Sequence, residues 1–335
     1  MNRAEYSAVF ISPHLDDAVF SCAGKIAELS LSKKVLVINV FTSFEKGVSV
    51  GAVVLGDERL IEEACAAKIL SYDHINLNEK DAFFRGFRKG SIGKVFYPPV
   101  KEDFIYLETL REKIGRELEK ISFSELYVPL GIGWHIDHCL IHRIFNDKNN
   151  PYAEKLRFYE DAPYIFFPGA RAERLAYLRG ESTSFIKNLI SVSRAFFHSG
   201  FTQNIKKFPQ RYLIMPFMAG YFMRVFFMQR KSKKVNFFPR LRVEVFNCNS
   251  HYEKKMTAVM CYTSQVKEFF ESIDKMRESY KNYSREVIHC LYHSEQYWLP
   301  ENEKVEFNAK VGTKCLAKKI KSEQSPQTKQ TRLDF

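Results

Sequence analysis

The sequence predicts an α/β fold: a Rossmann-like, doubly wound and mostly parallel sheet with helices on both faces. Short apolar runs alternate with segments of helical periodicity through the first half of the chain, which is typical of βαβ units. Polar clusters follow two of these runs, at the sheet edge where such folds bind ligands. The predicted strands lie near 7–12, 34–42, 74–77, 125–130 and 155–160, and the predicted helices near 17–31, 57–71, 103–121 and 137–146.

Two polar clusters carry the residues that indicate chemistry. The first follows the apolar run 8–11 and reads Pro13-His14-Leu15-Asp16-Asp17. The second follows the run 126–130 and three residues rich in glycine, and it reads His135-Ile136-Asp137-His138. Together they offer histidine and aspartate side chains, the ligand types of a catalytic zinc site. A catalytic zinc takes three protein ligands, which leaves other groups to accept the proton of water and to stabilise an oxyanion.

Two alternatives accompany this interpretation. Each cluster alone is also compatible with a solvated strand-to-helix turn in which Asp caps the helix, but two such clusters at two strand ends favour a metal site. His138 and His142 also show the His-x-x-x-His spacing of zinc-binding helices. Because Cys139 stands where that motif carries glutamate, we interpret His142 as a helix residue that packs beside the site.

The two clusters resemble the motifs of the PIG-L/LmbE-like zinc-dependent de-N-acetylases, the N-acetylglucosaminyl deacetylase superfamily. These enzymes remove acetyl groups from N-acetylglucosamine units on lipids, small thiols, antibiotics or other glycoconjugates. The resemblance covers roughly residues 5–165 and 241–275, and Leu15 and Ala18 depart from it. Further matching segments are Arg59 with Glu62 and Glu63, Tyr159-Glu160-Asp161-Ala162-Pro163-Tyr164, and Lys255 through Ser264-Gln265.

The resemblance implies a role for each polar residue. One zinc ion per chain would have three ligands, His14, Asp17 and His138. Asp16 matches the general base, which accepts a proton from the attacking water. His135 matches the residue that stabilises the oxyanion and assists protonation. Asp137 matches the carboxylate that orients and charges this histidine.

The loop from Phe44 to Gly56 is rich in Gly and Val and is expected to form a pocket wall or lid. Arg59 follows this loop, and we predict that it binds a substrate hydroxyl or phosphate. The alternative is an exposed helix arginine that pairs with Glu62 or Glu63.

The length of 335 residues suits one large domain with an elaboration. We predict a catalytic α/β core at 1–165 and an aromatic and basic helical insertion at 166–240. A C-terminal part of the core follows at 241–300, and a polar, disordered tail at 301–335.

The predicted insertion contributes to the formal net charge of +12. Its apolar run 213–228 is too short to span a bilayer, and the basic run 230–234 follows directly. This pattern is typical of peripheral contact with an anionic membrane, but an insertion that buries its aromatic side chains against the core is an equal alternative. No nucleic-acid-binding motif accompanies the basic residues, which argues against nucleic acid as a partner.

Seven cysteines without paired spacing predict reduced thiols in a cytosolic setting. Cys22, Cys65 and Cys139 lie in apolar helical patterns and are expected to be small core residues. The first residues are polar and show no secretory signal. We therefore expect a cytoplasmic protein, with peripheral contact at the inner face of the membrane as an extension.

The sequence thus predicts a zinc-dependent hydrolase that removes the acetyl group from an N-acetylated sugar, similar to N-acetylglucosamine, on a larger glycoconjugate, including lipid-linked ones. One alternative is an amidase that cleaves another amide, such as a thiol conjugate, with the same site. The other is a peripheral membrane-binding protein with a vestigial site, although the intact set of six polar residues argues against it.

Overall fold

The computed structural model describes residues 3–44, 49–50, 53–54, 57–96, 99–147, 149–167, 169–181, 241–270 and 272–300. The described residues up to Pro300 belong to one compact unit. The predicted tail at 301–335 and most of the predicted insertion, including the runs 213–228 and 230–234, lie outside the described residues.

The strands are β1 (Ala4–Ser12), β2 (Val35–Asn39), β3 (Ser49–Val50), β4 (Val53–Val54), β5 (Asp73–Asn76), β6 (Ile121–Pro129), β7 (Leu156–Tyr159), β8 (Leu241–Asn247) and β9 (Ser294–Pro300). Within the described ranges, seven of them form one sheet in the order β5-β2-β1-β6-β7-β9-β8. The first five in this order are parallel, and β9 and β8 continue the sheet in antiparallel pairs. The predicted mostly parallel α/β fold is confirmed.

The helices are α1 (Asp17–Leu29), α2 (Asp57–Leu70), α3 (Lys101–Glu119), α4 (Ile136–Phe145), α5 (Ala170–Leu178), α6 (Tyr252–Met260), α7 (Thr263–Phe269) and α8 (Ile273–Asn282). The short strands β3 and β4 pair with each other within the loop expected to form a pocket wall. Helix α5 lies in the range predicted as an insertion, and its Leu175 and Leu178 belong to the main hydrophobic core.

The strands β1 and β6 lie at the centre of the sheet. Strand β2 is buried along its length and β1 from Ala8 onward, as parallel strands covered on both faces require. Phe10 of β1 stacks on Tyr127 of β6 with ring centroids 4.3 Å apart. Because β1 pairs with β2 on one side and with β6 on the other, the winding direction reverses there and opens a crevice at the carboxyl ends. Both polar clusters lie at this crevice.

The cysteines differ from the expectation of reduced core thiols. Cys65, on the exposed side of α2, forms a disulfide with Cys261 at the end of α6. The prediction is therefore wrong for this pair, because packing of α2 against α6 brings their Cα atoms within 5.9 Å although 196 residues separate them in sequence. Cys22 is a buried free thiol, as predicted.

Within the described ranges, no helix is both long and apolar enough to cross a membrane.

Candidate metal centre and active site

The structure brings the six polar residues of the two clusters into one buried group. The imidazole centroids of His14, His135 and His138 lie 4.9–5.5 Å apart. Each of the six side chains belongs to a residue that is at most 8% exposed. A solvated turn does not bury so many polar groups, since burial of unpaired charge is unfavourable. The arrangement therefore needs partners of opposite charge.

The first cluster is shaped by hydrogen bonds within its own turn. The Ser12 hydroxyl donates to the carbonyl oxygen of His14 at 2.5 Å and accepts from the N–H of Ala18 at 3.0 Å. The His14 N–H donates to Asp17 Oδ2 at 2.8 Å. The Asp16 side chain makes no capping hydrogen bond to α1, so the simple helix-cap interpretation does not describe it. These contacts direct His14 and Asp17 toward the same space.

The second cluster depends on glycine and on a distant aspartate. Gly131 and Gly133 have φ of 81° and 85°, and a Cβ on Gly133 would lie 2.4 Å from the Tyr164 ring. The backbone N–H groups of Gly131 and Ile132 donate to Asp161 Oδ2 at 2.8 and 2.9 Å. Asp161, which follows β7, therefore holds the turn that precedes His135.

The three predicted metal ligands converge on one point. Asp17 Oδ2 lies 3.1 Å from His14 Nδ1 and 3.2 Å from His138 Nε2. His138 Nε2 is buried without a hydrogen-bond partner among the described residues. The other ring nitrogen, His138 Nδ1, lies 2.7 Å from Asp161 Oδ1, so a neutral His138 imidazole carries its proton there and offers the Nε2 lone pair to a metal. Two imidazole nitrogens and one carboxylate oxygen fit a divalent metal such as zinc.

Electrostatics favour a cation between these ligands. Burial alone would lower the pKa of His138, but the charges of Asp17 and Asp161 outweigh it and raise the pKa to about 9. Burial raises the pKa of Asp17, but His138 and His14 hold it well below its usual range. The carboxylates thus stabilise a positive charge at His138, either a proton or a metal ion in its place.

The second nitrogen of His14 faces two carboxylates. His14 Nε2 lies 3.0 Å from Asp81 Oδ2 and 3.3 Å from Asp137 Oδ2. With Nε2 as the donor, Nδ1 presents its lone pair toward Asp17 and the ligand space.

Asp137 makes several contacts besides its expected interaction with His135. Its carboxylate contacts His14, the N–H of Ala82 at 2.9 Å and the Arg85 guanidinium at 2.5 Å. A carboxylate oxygen of Asp137 also lies within 4.8 Å of a ring nitrogen of His135. Only the backbone N–H of Asp137 reaches His135 Nδ1, at 3.3 Å.

That contact defines the hydrogen bonding of His135. Because Nδ1 accepts the Asp137 N–H, the neutral imidazole carries its proton on Nε2. Burial and the nearby charge of His14 lower the pKa of His135 to about 3, so the ring is neutral near pH 7. One ring nitrogen from each of His14, His135 and His138 lies within 4.8 Å of the others, so the His135 ring borders the ligand space.

Arg59 is buried, at 4% exposure, and donates to Asp16 Oδ1 at 2.7 Å. The alternative of an exposed arginine paired with Glu62 or Glu63 is therefore wrong. Burial raises the pKa of Asp16, and the charge of Arg59 opposes this effect without cancelling it. A raised pKa makes a carboxylate a stronger base, and the contact with Arg59 orients it.

Glu62 and Glu63 instead connect α2 to Tyr262 and the first residues of α7. Glu62 accepts hydrogen bonds from the hydroxyl of Thr263 and from the N–H and hydroxyl of Ser264, at 2.7–3.1 Å. Glu63 accepts from the Tyr262 hydroxyl at 2.6 Å. These contacts place α2, and with it Arg59, against the site.

His142 is engaged elsewhere. Its Nδ1 lies 3.1 Å from the carbonyl oxygen of Pro129, and its Nε2 lies 3.1 Å from Asn146 Nδ2. With both ring nitrogens occupied, the His138–His142 ligand pair is disfavoured.

Sequence reasoning missed three residues at this site: Asp81, Arg85 and Asp161. Asp161 directly follows a predicted strand at the edge where ligands bind, so its position was a usable signal. Asp81 and Arg85 lie in an irregular segment after β5, where no periodicity marks an inward-facing side chain.

Residues 9–147 match the model of the PIG-L family, described as GlcNAc-PI de-N-acetylase. This matched stretch contains both polar clusters, so the resemblance to PIG-L proteins is confirmed. The chain is also 26% identical over 163 residues to the 2'-N-acetylparomamine deacetylase of Streptomyces fradiae. That alignment covers 47% of this chain and 57% of the relative, so the chain spans little more than half of its length.

Solved structures share the fold. A deacetylase from the biosynthesis pathway of teicoplanin gives a TM-score of 0.58 at 17% identity, covering 89% of this chain and 100% of its own. The zinc-inhibited form of teicoplanin deacetylase gives 0.56 at 17% identity, with 89% and 100% covered. Likeness at this level establishes the α/β architecture of this chain.

Proposed function

We propose that this chain is a zinc-dependent N-deacetylase that hydrolyses the acetamide of an N-acetylated sugar. The observation that carries the proposal is the convergence of His14 Nδ1, Asp17 Oδ2 and the unpartnered His138 Nε2, with Asp161 behind His138. The zinc-inhibited deacetylase with the same fold supports this metal class.

Each remaining polar group has a task that its contacts support. A divalent ion bound here would polarise the acetamide carbonyl and lower the pKa of water. Asp16, oriented by Arg59, would accept the proton of the attacking water. His135 would donate its Nε2–H to the developing oxyanion and assist protonation of the leaving amine. Arg59 thereby acts on the base, in addition to any contact with a substrate hydroxyl.

The proposed substrate is an acetylated amino sugar, similar to N-acetylglucosamine, on a larger carrier. A 2'-N-acetylparomamine deacetylase and a deacetylase bound to teicoplanin are among the similar proteins, which supports sugar conjugates over simple amides. A lipid carrier, reached from the cytoplasmic face of a membrane, depends on residues 213–234, outside the described residues.

The decisive experiment is mass spectrometry for the loss of one acetyl group across a panel of N-acetylated glycans, free and lipid-linked. Thiol-conjugate amides belong in the same panel, since their cleavage alone would favour the amidase alternative. We expect a mass decrease that corresponds to one acetyl group on at least one amino sugar, with zinc present. An inactive protein that also binds no divalent ion would refute the proposal.

Two variants separate metal binding from proton transfer. His138→Ala should purify with far less zinc and lose activity, because it removes a ligand. Asp16→Asn should keep its zinc but lose roughly 10²–10⁴-fold in kcat, because it removes the base. Loss of zinc from Asp16→Asn would instead make Asp16 a ligand.

A further inference from the structure

Three carboxylates surround one imidazole. Asp17 faces His14 Nδ1, while Asp81 and Asp137 both approach His14 Nε2 at 3.0 and 3.3 Å. All three residues are at most 8% exposed. A single N–H does not compensate two buried carboxylates, because each buried charge needs its own partner. The two carboxylates at Nε2 therefore need a further positive group.

Arg85 supplies that group from the segment after β5. Its guanidinium donates to Asp137 Oδ1 at 2.5 Å, on the opposite oxygen from the one that faces His14. It also donates to the carbonyl oxygen of Lys80 at 2.6 Å, and it lies 5.0 Å from the Phe41 ring and 4.8 Å from the Tyr106 ring. Arg85 is thus held in one orientation by contacts on several sides.

The contacts form a chain from Arg85 through Asp137 to His14. Arg85 neutralises Asp137 Oδ1, and the Ala82 N–H donates to Oδ2. These two contacts orient Asp137 as a hydrogen-bond acceptor beside His14 Nε2. A metal-ligating histidine depends on such an acceptor, which sets its tautomer and ring orientation.

We propose that Arg85 is a positioning residue for the metal site: it neutralises and orients Asp137, which holds the Nε2–H of His14 and leaves Nδ1 for the metal. The inference rests on the proposed function for the identity of the metal ligands. It gives Asp137 a role at His14 in addition to the one expected at His135, and it extends the site to a residue outside both polar clusters.

Arg85→Met tests the proposal through zinc affinity, measured by competition with a chromophoric chelator. Loss of a group behind a metal ligand typically weakens metal binding by 10–100-fold, and we expect about 10-fold here because Asp81 remains. Arg85→Lys should recover most of the affinity. At saturating zinc, KM for the acetylated sugar should stay close to the wild-type value.

Arg88→Gln is the matched control. Arg88 lies in the same segment and is more deeply buried, and its guanidinium pairs with Asp103 at 2.5 Å. Its loss should lower the free energy of unfolding and leave zinc affinity unchanged. Equal loss of zinc affinity in both variants would reduce Arg85 to a structural role and overturn the proposal.

A double-mutant cycle tests whether Arg85 acts through Asp137. Removal of Arg85 from Asp137→Asn should weaken zinc binding much less than its removal from the wild type.

Unchanged zinc affinity in Arg85→Met, or independent effects in the cycle, would contradict the inference. A raised KM at unchanged zinc affinity would assign Arg85 to the substrate instead. A wild-type protein that binds no divalent ion would refute the proposed function itself.

Discussion

The two strand ends that form the site are held in different ways. After β1, the turn is stabilised by neighbours in sequence: Ser12 bonds to His14 and Ala18, and His14 bonds to Asp17. After β6, the turn is stabilised by Asp161, which lies 23 residues from His138 and follows another strand. Local contacts persist wherever the turn forms, whereas the second cluster needs the assembled sheet. The second half of the site should therefore be the more sensitive one.

Asp161→Asn should have the largest effect, which is a loss of zinc affinity. It removes the charged acceptor of the His138 imidazole and weakens its bonds to two backbone N–H groups. We expect zinc affinity to fall by roughly 10–100-fold. Chelator competition measures the change. Glu160→Gln is the control, since Glu160 contacts Arg171 and Trp298 instead of the site, and its zinc affinity should match the wild type.

Glu63 of α2 also depends on packing between distant segments, because its contacts hold α2 in place. Burial raises the pKa of Glu63 to about 7, although hydrogen bonds from Tyr262, Asn39 and Tyr72 oppose this effect. The folded state therefore retains a proton between pH 4.5 and 7 that the unfolded state releases, so stability falls as pH rises through this window, by at most about 1.4 kcal/mol per unit.

Glu63→Gln should remove this slope. Urea unfolding of both proteins at pH 5 and pH 8 measures it, and the variant should gain stability relative to the wild type at the higher pH by about 1–3 kcal/mol. A constant difference between the two proteins at both pH values would show that Glu63 titrates normally.

Ser12→Ala should have the smallest effect. Removal of a buried hydroxyl that makes two hydrogen bonds is expected to lower the free energy of unfolding by about 1–3 kcal/mol. Because the His14 N–H still bonds to Asp17, zinc affinity should fall by less than it does in Asp161→Asn. An equal or greater loss of zinc in Ser12→Ala would show that the first turn, too, depends on every contact.

The difference between local contacts and contacts between distant segments also explains what could be predicted from the sequence. The strands and helices of the first half agree with the structure to within a few residues, because the spacing of apolar residues in each segment is typical of a strand or of a helix. The six polar residues follow strands, so the sheet edge brings them together. The contacts of Asp137 and Arg85 and the disulfide of Cys65 depend on packing between distant segments, which no local pattern encodes. The membrane contact predicted for 213–234 stays a prediction.

The disulfide between Cys65 and Cys261 closes the chain into a covalent ring. The second polar cluster, Asp81, Arg85 and Asp161 lie inside this ring, while His14, Asp16 and Asp17 lie on the arm outside it. Closing a loop over a sequence separation of 196 restricts the unfolded chain and stabilises the fold by about 5 kcal/mol in the chain-entropy model. A reducing compartment opens such rings, so the ambient thiol potential would set how much of this stabilisation the assembled site retains.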